Sequence, residues 1–274
     1  MRRLSIVGAG HVGRTLGRLW QVAGVFDIAG VLARSPASAQ RGVDFIGAGL
    51  ALTAADTLPA ADVYMLAVTD DQIVPACAAL AASRPLEGAI VFHCSGALAS
   101  GALEAARLAG AQVASVHPIR SFADPEAVVA AFAGTFCGIE GSHAALALLV
   151  PALEAIGARP VAIDPAAKTV YHAAAVFASN YLVTVLDAAL RAYQAAGIPE
   201  DVARELARPL AQESLSNVFR MGAAGALSGP IARGDYATVR RQQAAVSAWD
   251  ADTGKLYGAL VPATTALAAR KQPC

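Results

Sequence analysis

The stretch Leu4-Ser5-Ile6-Val7-Gly8-Ala9-Gly10-His11-Val12-Gly13 decides the fold, because an apolar strand runs directly into G-x-G-x-x-G and on into an amphipathic helix. Its three glycines have separate uses. Gly8 permits a tight turn, Gly10 lets the backbone approach a pyrophosphate, and Gly13 lets the helix that opens near His11 and Val12 pack closely on its strand. The N-terminus of that helix then faces the anion with free backbone N–H groups. A glycine-rich turn without a ligand has the same letters, so context matters. Here the motif is followed by a helix over residues 14–23 and a second strand over residues 27–33, the full dinucleotide-binding unit.

The end of the second strand bears on which dinucleotide. An NAD site places Asp or Glu about 20 residues after the glycines to hold the ribose 2′-hydroxyl. The chain instead reads Val31-Leu32-Ala33-Arg34-Ser35, with no acid between Asp27 and Asp44. Arg34 offers a planar charged fork and Ser35 a hydroxyl donor, which suits the 2′-phosphate of NADP. The alternative is an ordinary solvated arginine at a strand end. Arg14 and Arg41 could add positive charge nearby, or be surface residues.

Strands and helices keep alternating as far as Ile163. Strands are expected near residues 50–53, 62–68, 89–94, 112–116, 135–139 and 159–163, with helices over 71–82, 100–109 and 143–156. This predicts an α/β fold, a Rossmann-type doubly wound, mainly parallel sheet over residues 1–163. Beyond Asp164-Pro165 only helical patterns appear, over 166–196, 200–219, 236–249 and 252–269, so residues 164–274 are expected to form a second, all-α domain. The Gly/Ala patch over residues 222–229 reads as a helix connection.

The chain has 274 residues, 56% of them hydrophobic, enough for real cores in two domains. Its 21 basic residues balance 21 acidic ones without long runs of either sign, which argues against nucleic acid or an anionic membrane as partner. Cys77, Cys94, Cys137 and Cys274 are scattered, and no histidines join them at ligand spacing. Reduced thiols, no metal and a cytoplasmic location are expected. The apolar stretch 173–186 carries Ser179, Asn180 and Thr184 and is shorter than the roughly 20 residues a spanning helix needs. It is read as a buried central helix. Being apolar nearly all round, it needs cover on every side, which predicts a homodimer.

Candidate chemistry concentrates on the helix after Pro165. Lys168, His172 and Ser179 fall at i, i+4 and i+11, within one narrow arc, with Asn180 beside it. A cation, a titratable ring and small polar groups on an apolar helix are costly to bury without purpose. A solvated first-turn lysine and a packing histidine are the structural alternative. His117-Pro118 ends a strand, where open α/β sheets bind ligands, although a hydrogen-bonded turn histidine fits as well. Val68 and Thr69 follow the fourth strand along the expected cofactor, with Asp70 or Asp71 as helix N-cap. Ser95 and Gly96 follow the fifth and could hold a ribose or a carboxylate. Arg233 could anchor a substrate carboxylate, and Asp235 would cap the next helix.

Several of these runs carry a resemblance. Ala67-Val68-Thr69-Asp70-Asp71, His93-Cys94-Ser95-Gly96, His117-Pro118, Lys168-Thr169-Val170-Tyr171-His172 through Asn180, and Leu227-Ser228-Gly229-Pro230-Ile231-Ala232-Arg233-Gly234-Asp235 resemble a family of uncharacterised proteins. That family joins a Rossmann-like NADP domain to a helical domain of unknown function. More broadly the chain is similar to the 6-phosphogluconate-dehydrogenase-like group, which includes ketopantoate reductase, pyrroline-5-carboxylate reductase and the deazaflavin-dependent NADP reductases. The wider group has a catalytic Lys with Asn one turn later; Lys168 matches the Lys, but the i+4 residue is His172. His117-Pro118 resembles the His-Pro turn of prephenate dehydrogenases. Helical second domains in the group often dimerise.

These readings converge on an NADP-dependent oxidoreductase. Hydride would pass between the nicotinamide and a small polar metabolite bearing C=O or C=N, with Lys168, His172 or His117 exchanging the proton and Ser179, Asn180 and Arg233 meeting the substrate. The reading from another class is a non-catalytic NADP-binding sensor.

Overall fold

The computed structural model describes residues 1–271, so Cys274 lies outside the described residues. Alternation of strand and helix gives β1 (Arg2–Val7), α1 (His11–Val22), β2 (Phe26–Leu32), α2 (Pro36–Ile46), β3 (Leu50–Leu52), β4 (Val63–Leu66), α3 (Asp70–Ser83) and β5 (Ile90–His93). It continues with α4 (Glu104–Leu108), β6 (Gln112–Pro118), α5 (Pro125–Ala130), β7 (Phe136–Gly141), α6 (His143–Glu154) and β8 (Arg159–Ala162). Then only helices follow: α7 (Lys168–Val176), α8 (Leu182–Ala195), α9 (Glu200–Ala226), α10 (Tyr236–Trp249) and α11 (Ala251–Ala268).

The eight strands form one sheet in the order β3-β2-β1-β4-β5-β6-β7-β8. All neighbours are parallel except β6 and β7. The order reverses between β1 and β4, which opens a crevice at the carboxyl ends of those strands. Successive side chains of a strand point to opposite faces, and both faces are covered. Val63 and Met65 of β4 join Leu4, Ile6, Leu16 and Trp20 in one core, while Tyr64 and Leu66 join Ile73 and Leu80 in the other. Strands buried on both sides read as continuous apolar runs, as β4 and β5 do.

Some local chemistry differs from expectation. The N-cap of α3 is Thr69, not Asp70 or Asp71, which lie in its first turn; there their charges still complement the helix dipole. Helix α5 was not anticipated, although Asp124-Pro125 is a start signal: Asp124 accepts from the N–H groups of Glu126 and Ala127. The region expected as a helix from residue 100 opens with a 3₁₀ turn, Ser100–Leu103. Helix α9 runs through much of the expected connection and is broken at Gly222, whose φ of 76° few other residues adopt.

The chain divides into two compact units, Met1–Ala178 and Ser179 onward. In the second, α8 packs with α9 and α10 with α11. Asp235 caps α10, and Arg191 bonds Asp187 and the Thr253 hydroxyl. Among its described residues only Ala203 and Val239 are buried apolar side chains. The reading of residues 173–186 as a buried central helix is therefore corrected for the single chain: Phe177 is 69% and Val183 66% exposed. The stretch belongs to a longer helical run, Pro165–Ala195, long and apolar enough to cross a membrane by length and composition. A π-turn at Phe177–Tyr181 interrupts that run. With about 4.4 residues per turn locally, it breaks the regular arc expected from Lys168 to Ser179.

Trp20 anchors one face of the sheet. It is fully buried, stands edge-on to Phe26 and Phe92, and donates its indole N–H to the Ala152 carbonyl at 2.8 Å. Trp20→Ala should cost about 3–5 kcal/mol of stability, read as a lower urea midpoint, whereas an unchanged midpoint would mean that the site collapses without loss.

Candidate active site

The glycine turn is as tight as its letters require. Gly8 has φ +108°, and a Cβ there would lie 2.3 Å from the Ala67 carbonyl oxygen. A Cβ on Gly13 would lie 2.3 Å from the Gly8 carbonyl oxygen, so α1 touches its strand closely, whereas Gly10 meets nothing nearer than 3.9 Å and leaves its backbone open. His11 at the first turn of α1 reaches the Phe122 carbonyl through Nδ1 at 2.5 Å. Val12 packs against the core.

From this turn a groove of about 750 Å³ runs over the carboxyl ends of β1, β2 and β4, lined by Gly8, Gly10, Arg34, Ser38, Val68 and Thr69 among others. Ser35 caps α2, its hydroxyl oxygen accepting from the Ser38 N–H, so that oxygen is already engaged. Arg41 bonds the Ser38 hydroxyl at 2.9 Å, which sets a second guanidinium beside the Arg34 end of the groove. Asp71 also lines it. Hydrogen bonds from Gln72 and Thr69, and then the Arg34 charge, hold its carboxyl below the usual range. Ser38, Gln72 and Thr53 were missed in the sequence because nothing local marks which residues of α2, α3 and the bend after β3 face the crevice.

A second cluster forms at the ends of β5 and β6. His93 is buried: its Nδ1 accepts the Ser95 N–H and its Nε2 reaches the Ala99 carbonyl, so the ring clamps the following loop. The Ser95 hydroxyl turns inward and accepts from Ala97 and Leu98 N–H. Lys168 is only 2% exposed. Its Nζ donates to the Ser95 carbonyl at 3.0 Å and to the Ser115 hydroxyl, with the Glu140 carboxylate 3.9 Å away. Burial pulls the Lys168 amine down from its ordinary value, and Glu140 opposes this. Glu140, also buried, accepts from the Ser100 N–H and hydroxyl at 2.6 and 2.7 Å.

Above this layer stand His117, Tyr171 and His172. The His117 ring lies edge-on to both Tyr171 and His172, with centroids 5.6 Å apart in each pair. Its Nδ1 is 2.9 Å from the Tyr171 hydroxyl. Gly96 lies against both imidazoles: a Cβ would come within 2.5 Å of His172 Cδ2 and 2.7 Å of His117 Cε1. The structure thus brings together Lys168, His172, His117 and Ser95, entirely within the first unit. Ser179 and Asn180, in the π-turn, and the exposed Arg233, in the 3₁₀ turn Ile231–Arg233, are residues of the second. Tyr171 and Glu140 were missed; Tyr171 had a signal, standing next to His172 and three residues after Lys168.

Residues 2–118 match the Rossmann-like domain, and residues 135–264 match a domain of unknown function, DUF2520. The chain joins a Rossmann-like domain to a DUF2520 domain. Its fold is shared with solved structures over nearly the whole length. Protein BF3122 from Bacteroides fragilis is 20% identical, with 96% of this chain and 98% of that one covered and a TM-score of 0.81. Protein TM1727 from Thermotoga maritima is 25% identical, with 98% and 100% covered and a TM-score of 0.74. An imine reductase from Myxococcus stipitatus in complex with NADP+ is 18% identical, with 97% and 93% covered and a TM-score of 0.66. No curated protein matches the sequence.

Burial first, and then the neighbouring His172 and the Lys168 amine, pull His117 down to about 4, against Asp70, and burial lowers His93 as well. Between that value and the unfolded value of about 6.5 the unfolded chain binds more protons, so stability rises with pH through the window and is lost as pH falls through it. His117→Gln should remove about 2–3 kcal/mol of this pH-dependent change, measured by urea unfolding at pH 4.5 and 7, with the His93 share remaining. An identical pH slope in the variant would place His117 in an ordinary solvated setting.

Proposed function

We propose that the chain is an NADP-dependent reductase, or the reverse dehydrogenase, acting on a small polar metabolite with C=O or C=N. The observation that carries this is a single sheet whose carboxyl ends hold, side by side, an open groove ending at Arg34 and a cluster of imidazoles. Ligands of open α/β sheets lie across the carboxyl ends of the strands, where both features stand. Bound NADPH would supply a hydride from C4 of its nicotinamide. The chain supplies the rest. Arg34, with Ser38 and Arg41 beside it, holds the 2′-phosphate, and the N-terminus of α1 receives the pyrophosphate. Lys168 is enclosed by Ser95, Ser115 and Glu140 and positions α7, so the proton comes from the imidazoles above it. His172 has no hydrogen bond on either ring nitrogen among the described residues, and His117 has one only on Nδ1.

NADPH should raise the melting temperature well above the shift given by NADH, since ligand bound only to the native state stabilises it by mass action. Arg34→Asp should flatten or reverse that preference. Equal shifts from both cofactors would remove the NADP assignment. Binding without turnover across a broad metabolite panel would instead favour the sensor.

We further propose a cytoplasmic homodimer formed through the helices. The second unit has almost no core of its own, yet Val202, Leu206 and Leu210 form a stripe at four-residue spacing on α9, and Phe219 is 87% exposed. A second copy would cover such faces at once. A membrane suits them less, because the run from Pro165 is tied to the sheet through Lys168 and carries Asp187 and Arg191. Light scattering should give twice the chain mass; a concentration-independent monomer would refute this.

A further inference from the structure

His117 and Tyr171 carry an inference that deepens the reductase reading and rests on it for its chemistry. Gly138 stands directly opposite His117 in the β6–β7 ladder. Lacking a side chain, it leaves room for the Tyr171 phenol, whose oxygen would lie 2.3 Å from a Cβ there. The one hydrogen bond of the phenol among the described residues is with His117 Nδ1. A phenol that accepted from an Nδ1–H would leave its own proton without an acceptor among the described residues, so the phenol donates to His117 Nδ1. Nδ1 then accepts, and in a neutral ring Nε2 must carry the hydrogen. Nε2 has no protein partner among the described residues and lies on the Gly96 side of the ring, toward His172.

We propose that His117 is a neutral hydrogen-bond donor whose Nε2–H meets the oxygen of a carbonyl substrate, and that Tyr171 is the positioning residue that fixes this tautomer. As hydride reaches the carbonyl carbon, the C=O π pair moves onto oxygen, and a preorganised donor is worth most where that charge develops. The Nε2 proton passes to the oxygen while the phenol proton moves onto Nδ1. The resulting phenolate regains a proton from water. An iminium carbon loses positive charge instead and offers no lone pair to Nε2–H, so this geometry favours C=O over a protonated C=N. The charged and titratable groups around His117 are His172, Lys168, Asp70 and Tyr171; the first two keep the ring neutral, Asp70 opposes them, and burial pushes the phenol up to about 12, so that it keeps its proton.

The test is long-range proton–nitrogen NMR of the nitrogen-15-labelled protein without cofactor, the His117 ring assigned by its loss in His117→Gln. The expected pattern is a single Nε2–H tautomer, neutral from pH 8 to about 5. Tyr171→Phe should release the ring into a mixture of tautomers that titrates at higher pH. An Nδ1–H ring or a mixture in the wild type would overturn the proposal, and so would an unchanged pattern in Tyr171→Phe. Should that variant fail to fold, the wild-type pattern alone decides. Calorimetric NADPH binding is measured separately, so a failed reductase reading and a failed tautomer are distinguishable. With NADPH bound, turnover of iminium ions and of no aldehyde or ketone would also overturn the carbonyl assignment.

Discussion

The amine of Lys168 has been taken almost wholly out of water, and the arrangement around it determines what the rest of the site can do. A buried cation is costly unless paired and hydrogen-bonded. Here the Ser95 carbonyl, the Ser115 hydroxyl and Glu140 surround it. His93, Ser115 and Glu140 stand in one row across three adjacent strands, since His93 pairs with Ser115 and Ser115 with Glu140. One ammonium group therefore ties the loop after β5, the middle of β6, the end of β7 and the first turn of α7. Such a pair adds little stability against an apolar replacement, but removing one partner costs about 3–5 kcal/mol. Its effect is to fix direction: residues three and four positions after Lys168 share its side of the helix, and these are Tyr171 and His172.

The next register position up the sheet holds the reactive groups. His117 lies two residues beyond Ser115 on the same face of β6, and Gly138 takes the corresponding place beside it. Two glycines make the room, Gly138 for the phenol and Gly96 for the two imidazoles. Side chains at either position would push the rings apart. The same economy operates at Gly8 and Gly13, where backbone contacts exclude a Cβ. The groove and the imidazole cluster thus share a construction: strands end, loops are clamped, and missing side chains leave space for rings or phosphates.

Most of the sheet was legible because its signals are local. Apolar runs, glycine turns and intervening helical patterns gave seven strands in place, the third run, near residues 50–53, reading equally well as strand or loop, and the G-x-G-x-x-G context gave the crevice. Spacing alone put Lys168 and His172 on one face. What was not legible depends on pairing between distant segments. Nothing near Glu140 says that it meets Lys168, and nothing near Gly138 says that it makes room for Tyr171; both follow only from β7 turning antiparallel against β6. The long apolar helix misled for a related reason. Its composition demands cover, but composition does not say whether the cover comes from the same chain.

The juxtaposition of groove and imidazoles is tested most directly by titrating NADP+ into the protein while following the histidine ring signals by NMR. A dinucleotide lying from Arg34 across the glycine turn should shift His11, His117 and His172 while leaving His143, at the start of α6, unmoved. Binding that leaves the His117 and His172 signals in place would contradict it, by showing that the nicotinamide does not reach the cluster.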